Sequence, residues 1–228
     1  MEENHCEHAA HKMCISIVPI FNHLDTDEMN EILKTTNSVS HLRGQTIYSA
    51  GEPSDGLYIV HKGHVKIYRL SESGKEQLVR ILGPGDFTGE LSLFSESVHD
   101  AYAEAMEPVE LCVMSRNFFQ EFLLKYPAIS LKVLAEFSTR LAQTEKQSAN
   151  IAMESTDTRI AMYLAERVEE QKNKRITLPM SRKDLASHLG TTPETVSRKL
   201  TEFEDAGWIR QTAQRNIHIV DLDALLLT

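Results

Sequence analysis

The chain has 228 residues, of which 41% are hydrophobic, and carries a formal net charge of −9 at pH 7. This length predicts one or two domains with hydrophobic cores. The sequence contains neither an apolar run of about 18 residues nor a signal peptide, so we expect a soluble, cytoplasmic protein that does not bind membranes. Residues 155–228 hold 11 basic and 11 acidic residues, which leaves 13 basic and 22 acidic in residues 1–154. An acidic body with a neutral C-terminal part argues against a protein that coats nucleic acid by neutralising phosphates.

The first 17 residues form a tail that is rich in cysteine and histidine. Its candidate metal or redox ligands are Cys6, Cys14, His5, His8 and His11. The third cysteine of the chain, Cys112, lies far downstream on a predicted strand. In a cytosolic protein, cysteines more often serve redox or metal chemistry than structural bridging, so we treat these residues together as a candidate sensor.

Residues 18–125 have the pattern of a small all-β domain. Eight of the ten glycines fall between Gly44 and Gly89, at spacings typical of short strands linked by turns. Segments between them alternate apolar and polar residues, as half-buried strands do. The clearest predicted strands are 57–60, 65–70, 77–82 and 109–114. We expect an antiparallel β-barrel or jelly roll.

From about Asn117 the hydrophobic period becomes helical, and a long helix is predicted over residues 126–154. Apolar and small polar residues follow one another along it in steps of three and four: Leu134, Phe137, Leu141, Thr144, Ser148 and Ile151. Two such helices side by side would make a parallel coiled coil, with the two polar residues as weaker layers. We therefore predict a homodimer. The alternative is a stripe that packs only on its own barrel.

Residues 181–200 predict two short helices joined by a glycine turn, which is a helix-turn-helix. Ser181 can cap the first helix, with Asp184 returning the bond three positions later. Gly190 allows the turn, and Thr192 with Pro193 can start the second helix at once. Inward faces are supplied by Leu185, Ala186, Leu189, Val196, Leu200 and Phe203.

Glu194, Ser197 and Arg198 remain on the outward face of the second helix; we call this trio the reading face. In a DNA major groove, arginine can bond guanine in bidentate fashion, glutamate can accept from cytosine N4, and serine can serve a base or a phosphate. Further candidate DNA contacts are Thr192, Arg182, Lys199 and Arg215. A hairpin predicted over residues 209–220 would form a wing beside the DNA backbone. The alternative is a capped helical hairpin with a solvated polar face.

The order of these parts resembles the CRP/FNR family of bacterial transcription regulators. Local matches are residues 18–24, 51–60, 62–63, 83–87, 89–91 and 194–198. The resemblance implies an α+β fold with a cyclic-nucleotide-binding-like jelly roll (18–125), a dimerisation helix (126–154) and a winged helix-turn-helix (155–228). It also implies a homodimer that binds double-stranded DNA at an inverted repeat with TTGAT-like half-sites and that contacts RNA polymerase.

Cyclic-nucleotide-binding relatives carry an Arg-Ser or Arg-Thr pair about ten residues after the Gly-Glu-Leu segment, because a cyclic phosphate needs a cation and a hydroxyl. Here Asp100 and Ala101 stand where that pair belongs. Glu90 is kept, but a barrel turn explains Gly89-Glu90-Leu91 better than a ligand site does. We therefore do not expect a cyclic nucleotide as effector.

The three cysteines resemble the pattern of FNR-type oxygen sensors, which bind a [4Fe–4S] cluster through cysteines before the barrel and one on a late strand. This chain has one N-terminal cysteine fewer, so a cluster would need Cys6, Cys14 and Cys112 with a histidine or an open iron site. Three alternatives stay open. They are a thiol switch that pairs Cys112 with a tail cysteine, a zinc or haem site, and a disordered tail with Cys112 buried as a small hydrophobe.

A metal enzyme of the cupin type is the competing class, since a small β-barrel can host a catalytic metal. The only central histidines of this chain are His61, His64 and His99, and the first two flank a predicted turn. No nucleophile elbow, P-loop or zinc-protease spacing occurs in the sequence. We therefore predict that the protein is not an enzyme. The remaining alternative for the regulator itself is a small-molecule ligand in the barrel.

Overall fold

The structure, a computed structural model, describes residues 18–22, 24–54, 56–90, 94 and 97–227. The predicted ligands Cys6, Cys14, His5, His8 and His11 lie outside these described residues. The chain divides into two compact units. The first comprises residues up to 70 with residues 79–140, and the second comprises residues 71–78 with residues 141–228.

Most of the first unit is built from strands. Helix α1 (Thr26–Leu33) comes first, with Asp25 as its N-cap. The strands follow as β1 (Thr36–His41), β2 (Thr46–Tyr48), β3 (Pro53–Ser54), β4 (Gly56–Lys62), β5 (Val65–Leu70), β6 (Glu76–Leu82), β7 (Phe87–Thr88), β8 (Ser97–Val98), β9 (Tyr102–Ala105) and β10 (Val109–Ser115).

These strands form two four-stranded sheets in the orders β1-β10-β4-β7 and β2-β9-β5-β6, and β3 pairs with β8. Strand β10 pairs antiparallel with both β1 and β4. In this register Cys112 of β10 lies opposite Ser38 of β1 and Ile59 of β4. The architecture is a jelly-roll-like sandwich whose sheets do not close into one barrel. All four predicted strands are confirmed, as β4, β5, β6 and β10.

Two hydrophobic clusters fill the first unit. One contains edge-to-face phenylalanines, with the Phe21 ring centroid 6.4 Å from Phe119 and 6.3 Å from Phe122. The other lies inside the sandwich and includes Val60 and Ala103. The backbone of Gly89 lies close to that of Gly56. Glycine is required at position 89, because a Cβ there would lie 2.2 Å from the carbonyl oxygen of Gly56.

Two helices follow the sandwich, α2 (Arg116–Lys125) and α3 (Pro127–Met153). Ser115 caps α2 by accepting a hydrogen bond from the Phe118 N–H at 3.4 Å. Tyr126 separates the helices with a non-helical backbone, as the residue before a proline favours. The predicted change of period near Asn117 is therefore confirmed.

Helices and a small sheet make up the second unit. Its elements are the C-terminal half of α3, then α4 (Thr156–Gln171), β11 (Arg175–Thr177), α5 (Arg182–His188), α6 (Pro193–Asp205), β12 (Ile209–Gln211), β13 (Asn216–Ile219) and α7 (Leu222–Leu226). The sheet order is β11-β13-β12. Leu164, Leu200 and Ile217 are buried in its core. Ser155, where we placed the start of this domain, is the N-cap of α4.

Candidate nucleic-acid interface

The two central helices are positioned by the caps that the sequence predicts. The Ser181 hydroxyl accepts from the Asp184 N–H at 3.2 Å, and the Asp184 carboxylate accepts from the Ser181 N–H at 3.4 Å. Gly190 has φ +66°, which a glycine adopts without strain. The Thr192 hydroxyl then accepts from the Thr195 N–H at 3.3 Å and starts α6. The helix-turn-helix is therefore present as predicted.

The reading face lies on the solvent side of α6. Val196, on the opposite side of the helix, is buried. Glu194 is exposed, and its own backbone N–H and then the Thr192 hydroxyl hold the pKa of its carboxyl below the ordinary value. The Arg198 side chain is 65% exposed, and its Nε lies 3.7 Å from Glu202 Oε1. Donor and acceptor groups are thus presented together on one accessible helix face.

Lys199 differs from its neighbour Arg198. Its side chain is only 20% exposed, and its Nζ lies 2.8 Å from Asp157 Oδ2 and 2.7 Å from Glu202 Oε2. Hydrogen bonds to Asp157 and then Glu202 raise the pKa of the Lys199 ammonium. In this arrangement Lys199 joins α6 to α4 and does not point freely into solvent.

Arg182 and Arg215 both hold the wing. Arg182 donates to the Gln211 side-chain oxygen, and Gln211 donates from its backbone N–H and its amide to Glu204, at 2.7 and 2.8 Å. Arg215 is exposed, and its Nε donates to the Leu178 carbonyl at 2.9 Å. The base of the wing is thereby fixed to the end of α6.

Strand β11 is a part of the wing sheet that sequence reasoning missed. It pairs with β13, with Ile176 opposite Ile217. Ile176 is buried between exposed Arg175 and Thr177. This short alternation is the signal that could have predicted the strand, but three residues are too few to identify one by pattern alone.

In the first unit, a buried ion group contains residues that the sequence did not single out. The Glu90 carboxylate is 9% exposed, and its Oε1 lies 2.8 Å from Arg80 and 2.7 Å from Arg140. Arg140 also donates to the Phe87 carbonyl at 3.2 Å and covers the Phe87 ring at 4.1 Å. Glu90 is therefore engaged within the unit by two arginines.

Other polar groups inside the sandwich are also packed. His99 stacks on Tyr48 with ring centroids 3.7 Å apart, and the Tyr48 hydroxyl is 2.7 Å from the Thr88 hydroxyl. Burial raises the pKa of Tyr48 to about 12. Asp100 forms an exposed ion pair with Arg69.

The two positions that the resemblance assigns to phosphate ligands are Asp100 and Ala101 in this chain. The Asp100 carboxylate is an exposed surface group, and Ala101 is buried in the interior cluster of the sandwich. Neither side chain supplies a cation or a hydroxyl for a phosphate. One of the two positions is therefore at the surface and the other is in the packed core.

Cys112 is 1% exposed and belongs to the phenylalanine-rich core cluster. Among the described residues, no group of three or more His, Cys, Asp and Glu side chains is arranged to hold a metal ion. The tail cysteines and histidines proposed as its partners lie outside those residues.

The stripe predicted for dimer formation is exposed along most of α3. Leu134 is 61% and Leu141 60% exposed. Thr144, Ser148 and Ile151 are exposed as well. Phe137 is different, because it packs against the core of its own unit and its ring lies 5.8 Å from Phe94. The part of the chain that the structure describes contains no helix long and apolar enough to cross a membrane.

Two protein-family models match the chain, the cyclic nucleotide-binding domain over residues 38–126 and the Crp-like helix-turn-helix domain over residues 158–227. A protein named "Probable transcriptional regulator flp", from Lacticaseibacillus casei, is 32% identical over 202 residues, which covers 89% of this chain and 92% of that protein. The "CRP-like cAMP-activated global transcriptional regulator" of Mycobacterium tuberculosis is 32% identical over 196 residues, with 84% and 88% covered.

Among solved structures, FixK2 from Bradyrhizobium japonicum has a TM-score of 0.73 to this chain at 26% sequence identity. The match covers 83% of this chain and 95% of that one. The predicted combination of a jelly roll with a C-terminal helix-turn-helix is confirmed by this similarity.

Proposed function

The chain belongs to the CRP/FNR family of bacterial transcription regulators, and we propose that it binds an inverted repeat in double-stranded DNA as a homodimer. It is a DNA-binding regulator and not an enzyme, as the sequence predicted. We also infer that it acts in the cytoplasm, where bacterial genes are transcribed, and that it contacts RNA polymerase there.

The observation that carries the proposal is the reading face of α6, where Glu194 and Arg198 are exposed and Ser197 is half-buried. Glu194, Ser197 and Arg198 follow a well-formed N-cap, and Arg198 has a 65% exposed side chain. A helix whose N-terminal residues present an arginine and a glutamate fits the major groove, where these side chains distinguish guanine and cytosine. The Glu-x-x-Ser-Arg order supports TTGAT-like half-sites about one helical turn apart.

The exposed stripe on α3 supports the homodimer. Leu134 and Leu141 are large apolar side chains that a monomer would leave in water. Their seven-residue spacing is that of one coiled-coil position. Since an inverted repeat has two-fold symmetry, a symmetric helix pair would present one reading face to each half-site.

Selection of bound sequences from a random DNA library tests this proposal with the full-length protein. We expect enriched sequences with dyad symmetry and a guanine in each half-site. Enrichment without symmetry, or binding that does not depend on sequence, would refute the proposed operator. Light scattering of the free protein supplies the second readout, and a monomer would contradict the predicted assembly.

We propose a redox input through Cys6, Cys14 and Cys112 as the signal. A [4Fe–4S] cluster and a disulfide would both draw their other ligands from the tail, which lies outside the described residues, and Cys112 itself is 1% exposed among apolar side chains. A disulfide needs only Cys112 and one tail cysteine. Its formation removes two protons and two electrons from the two thiols, which a peroxide or a diamide can accept. Because Cys112 lies on a central strand, its oxidation requires local opening and should be slower than that of an exposed thiol.

Three measurements test the redox input. The absorption spectrum and metal content of protein purified without oxygen check for a cluster, and thiol titration before and after diamide checks for a disulfide. Operator affinity is then compared with and without oxidant for wild type, Cys6→Ser, Cys14→Ser and Cys112→Ala. We expect Cys112→Ala to abolish the response. A response that survives in all three variants would contradict this input and favour a small-molecule ligand in the sandwich.

A cyclic nucleotide is not our proposed effector, although the similar protein from M. tuberculosis is named as cAMP-activated. Glu90 already bonds two arginines, and Ala101 is buried where a cation or hydroxyl would be needed. We expect that cyclic nucleotides added at millimolar concentration leave both the melting temperature and the operator affinity unchanged.

A further inference from the structure

Four charged side chains form a row that runs from α4 to the reading face. Asp157 Oδ2 lies 2.8 Å from Lys199 Nζ, and Lys199 Nζ lies 2.7 Å from Glu202 Oε2. The other oxygen of the same carboxylate, Oε1, lies 3.7 Å from Nε of Arg198. Signs alternate along the row, so each group attracts its neighbour.

The two outer side chains of the row are more exposed to solvent than the two inner ones. Asp157 and Lys199 are 35% and 20% exposed, whereas Glu202 and Arg198 are 49% and 65% exposed. Asp157 is anchored in the first turn of α4, whose N-cap Ser155 accepts from the Thr158 N–H at 3.1 Å. The inner end of the row is therefore fixed to the first turn of α4, and the outer end reaches the surface that would meet DNA.

We propose that Asp157, Lys199 and Glu202 are positioning residues that orient the Arg198 guanidinium for guanine recognition. Lys199 holds one oxygen of Glu202, which turns the other oxygen toward the Nε side of Arg198. The terminal Nη edge of the guanidinium is left to face the base. The inference rests on the proposed function, in which Arg198 contacts a base.

The physical advantage of such a row is the entropy of the arginine side chain. A free arginine loses rotamer freedom when it is fixed against a base, which opposes binding. An arginine that is already restrained loses less, so more of its bonding free energy appears as discrimination between bases. The restraint is weak at 3.7 Å and 65% exposure, which allows Arg198 to adjust to the groove.

Both neighbours of Lys199 in the row are carboxylates, so its charge is paired within the protein by Asp157 and Glu202. A lysine in this role does not neutralise a phosphate, so its removal should leave the salt dependence of binding unchanged, whereas a phosphate contact contributes about 0.9 to the slope of log affinity against log salt.

The experiment uses the full-length protein and two DNA fragments, the site selected by wild type and the same site with the guanine pairs replaced. Affinities are measured by fluorescence anisotropy over a salt series for wild type, Asp157→Asn, Lys199→Met, Lys199→Arg and Glu202→Gln. Glu169→Gln, at an exposed carboxylate of the same helix as Asp157, makes the same charge change and serves as the matched control. Arg198→Ala supplies the full loss of guanine preference, at least about fivefold.

We expect Lys199→Met, Glu202→Gln and Asp157→Asn each to reduce the guanine preference by roughly twofold to fivefold, which is less than the loss in Arg198→Ala, with the salt slope of Lys199→Met equal to that of wild type. Lys199→Arg should retain most of the preference, and Glu169→Gln should retain all of it. Thermal melts identify any variant that loses preference by unfolding. In that case Glu202→Gln, which alters the most exposed of the three positioning residues, decides the result.

Two outcomes would overturn the inference. Should Lys199→Met weaken binding to both fragments equally and lower the salt slope by about one, Lys199 is a phosphate contact. Should Arg198→Ala lose the guanine preference while the three row variants keep it, Arg198 needs no positioning. An Arg198→Ala protein that keeps the preference would instead refute the proposed role of Arg198 itself.

Discussion

In the first unit, the Glu90 carboxylate is 9% exposed and is bonded by two arginines, whereas in the second unit the Arg198 guanidinium is 65% exposed beside Glu202. A desolvated carboxylate needs its partners at all times, because an unpaired buried charge is strongly unfavourable. An exposed pair contributes little to folding and can exchange its partner for a base at little free-energy cost. The same types of side chain therefore maintain the fold in one unit and remain available for recognition in the other.

The largest effect is expected from a substitution at Leu141, on the exposed stripe of α3. This residue belongs to neither of the two ion groups. Leu141→Glu places a charge on the proposed interface of two helices, so the dimer should dissociate. Binding through a single half-site lacks the gain from linking two sites, so operator affinity should fall by at least roughly 100-fold. Light scattering and anisotropy measure the two effects on the same sample.

The matched control for this change is Leu124→Glu, which introduces the same charge at an 84% exposed leucine of α2. It should leave both the dimer and the operator affinity unchanged. Leu141 is a better choice than Phe137, because Phe137 packs on the core of its own unit and its replacement would also destabilise the monomer. An unchanged dimer in Leu141→Glu would place the interface elsewhere.

The next largest effect is expected from the buried ion group around Glu90. Glu90→Gln removes the carboxylate that Arg80 and Arg140 share, while Arg140 keeps its pair with Glu136, and should lower the free energy of unfolding by roughly 2 to 4 kcal/mol. Asp100→Asn removes an exposed pair with Arg69 and should change it by less than about 1 kcal/mol. Urea denaturation of both variants measures the difference.

The guanine preference of the protein should depend on Arg198 and not on Glu90, which is the reverse of the expected effects on stability. Glu90→Gln should keep the wild-type guanine preference at a temperature where it is folded, because Glu90 is engaged within its own unit. Arg198→Ala should lose that preference. Its melting temperature should equal that of wild type, since the pair of Arg198 with Glu202 is exposed. Equal stability losses in Glu90→Gln and Asp100→Asn would contradict the distinction that we draw between the two units.

Local signals in the sequence predicted the helix-turn-helix well. The caps at Ser181 and Thr192 and the turn at Gly190 depend on residues within a few positions of one another, so their chemistry can be read directly. The predicted strands were found for a similar reason, because alternation is visible within one strand. Strand β1, which has the sequence Thr-Asn-Ser-Val-Ser-His, carries mostly polar residues and gave no such signal.

Groups that assemble from distant positions could not be predicted in this way. Glu90 meets Arg140 across 50 positions, and Lys199 meets Asp157 from another helix. Neither pair has a spacing that distinguishes it from ordinary surface charges. The place of Lys199 on the helix surface predicts a DNA contact, and only the position of α4 brings the Asp157 carboxylate to its ammonium.

The smallest expected effect concerns pH and a third kind of titratable group in the second unit, the mostly buried His188 at the end of α5. Its Nδ1 lies 3.2 Å from Nε2 of Gln147, which also donates to the His188 carbonyl at 3.1 Å. The Tyr163 ring stands edge-on at 5.7 Å. Burial, then the positive charge of Arg167, lowers the pKa of His188 below 6.5, and Glu166 opposes this shift.

Because the folded pKa of His188 lies below the unfolded value of 6.5, the unfolded chain binds more protons in this window, and stability rises with pH. The contribution is fully present above pH 6.5 and is lost as the pH falls toward the folded pKa. Protonation also places a donor at Nδ1, facing the Gln147 amide donor. Any one group can change the free energy of unfolding by at most about 1.4 kcal/mol per pH unit. Melting between pH 7.5 and 5 should therefore show a shallow decline for wild type that His188→Gln reduces. A decline of equal slope in both proteins would assign the pH dependence to other groups and leave His188 as a packing residue.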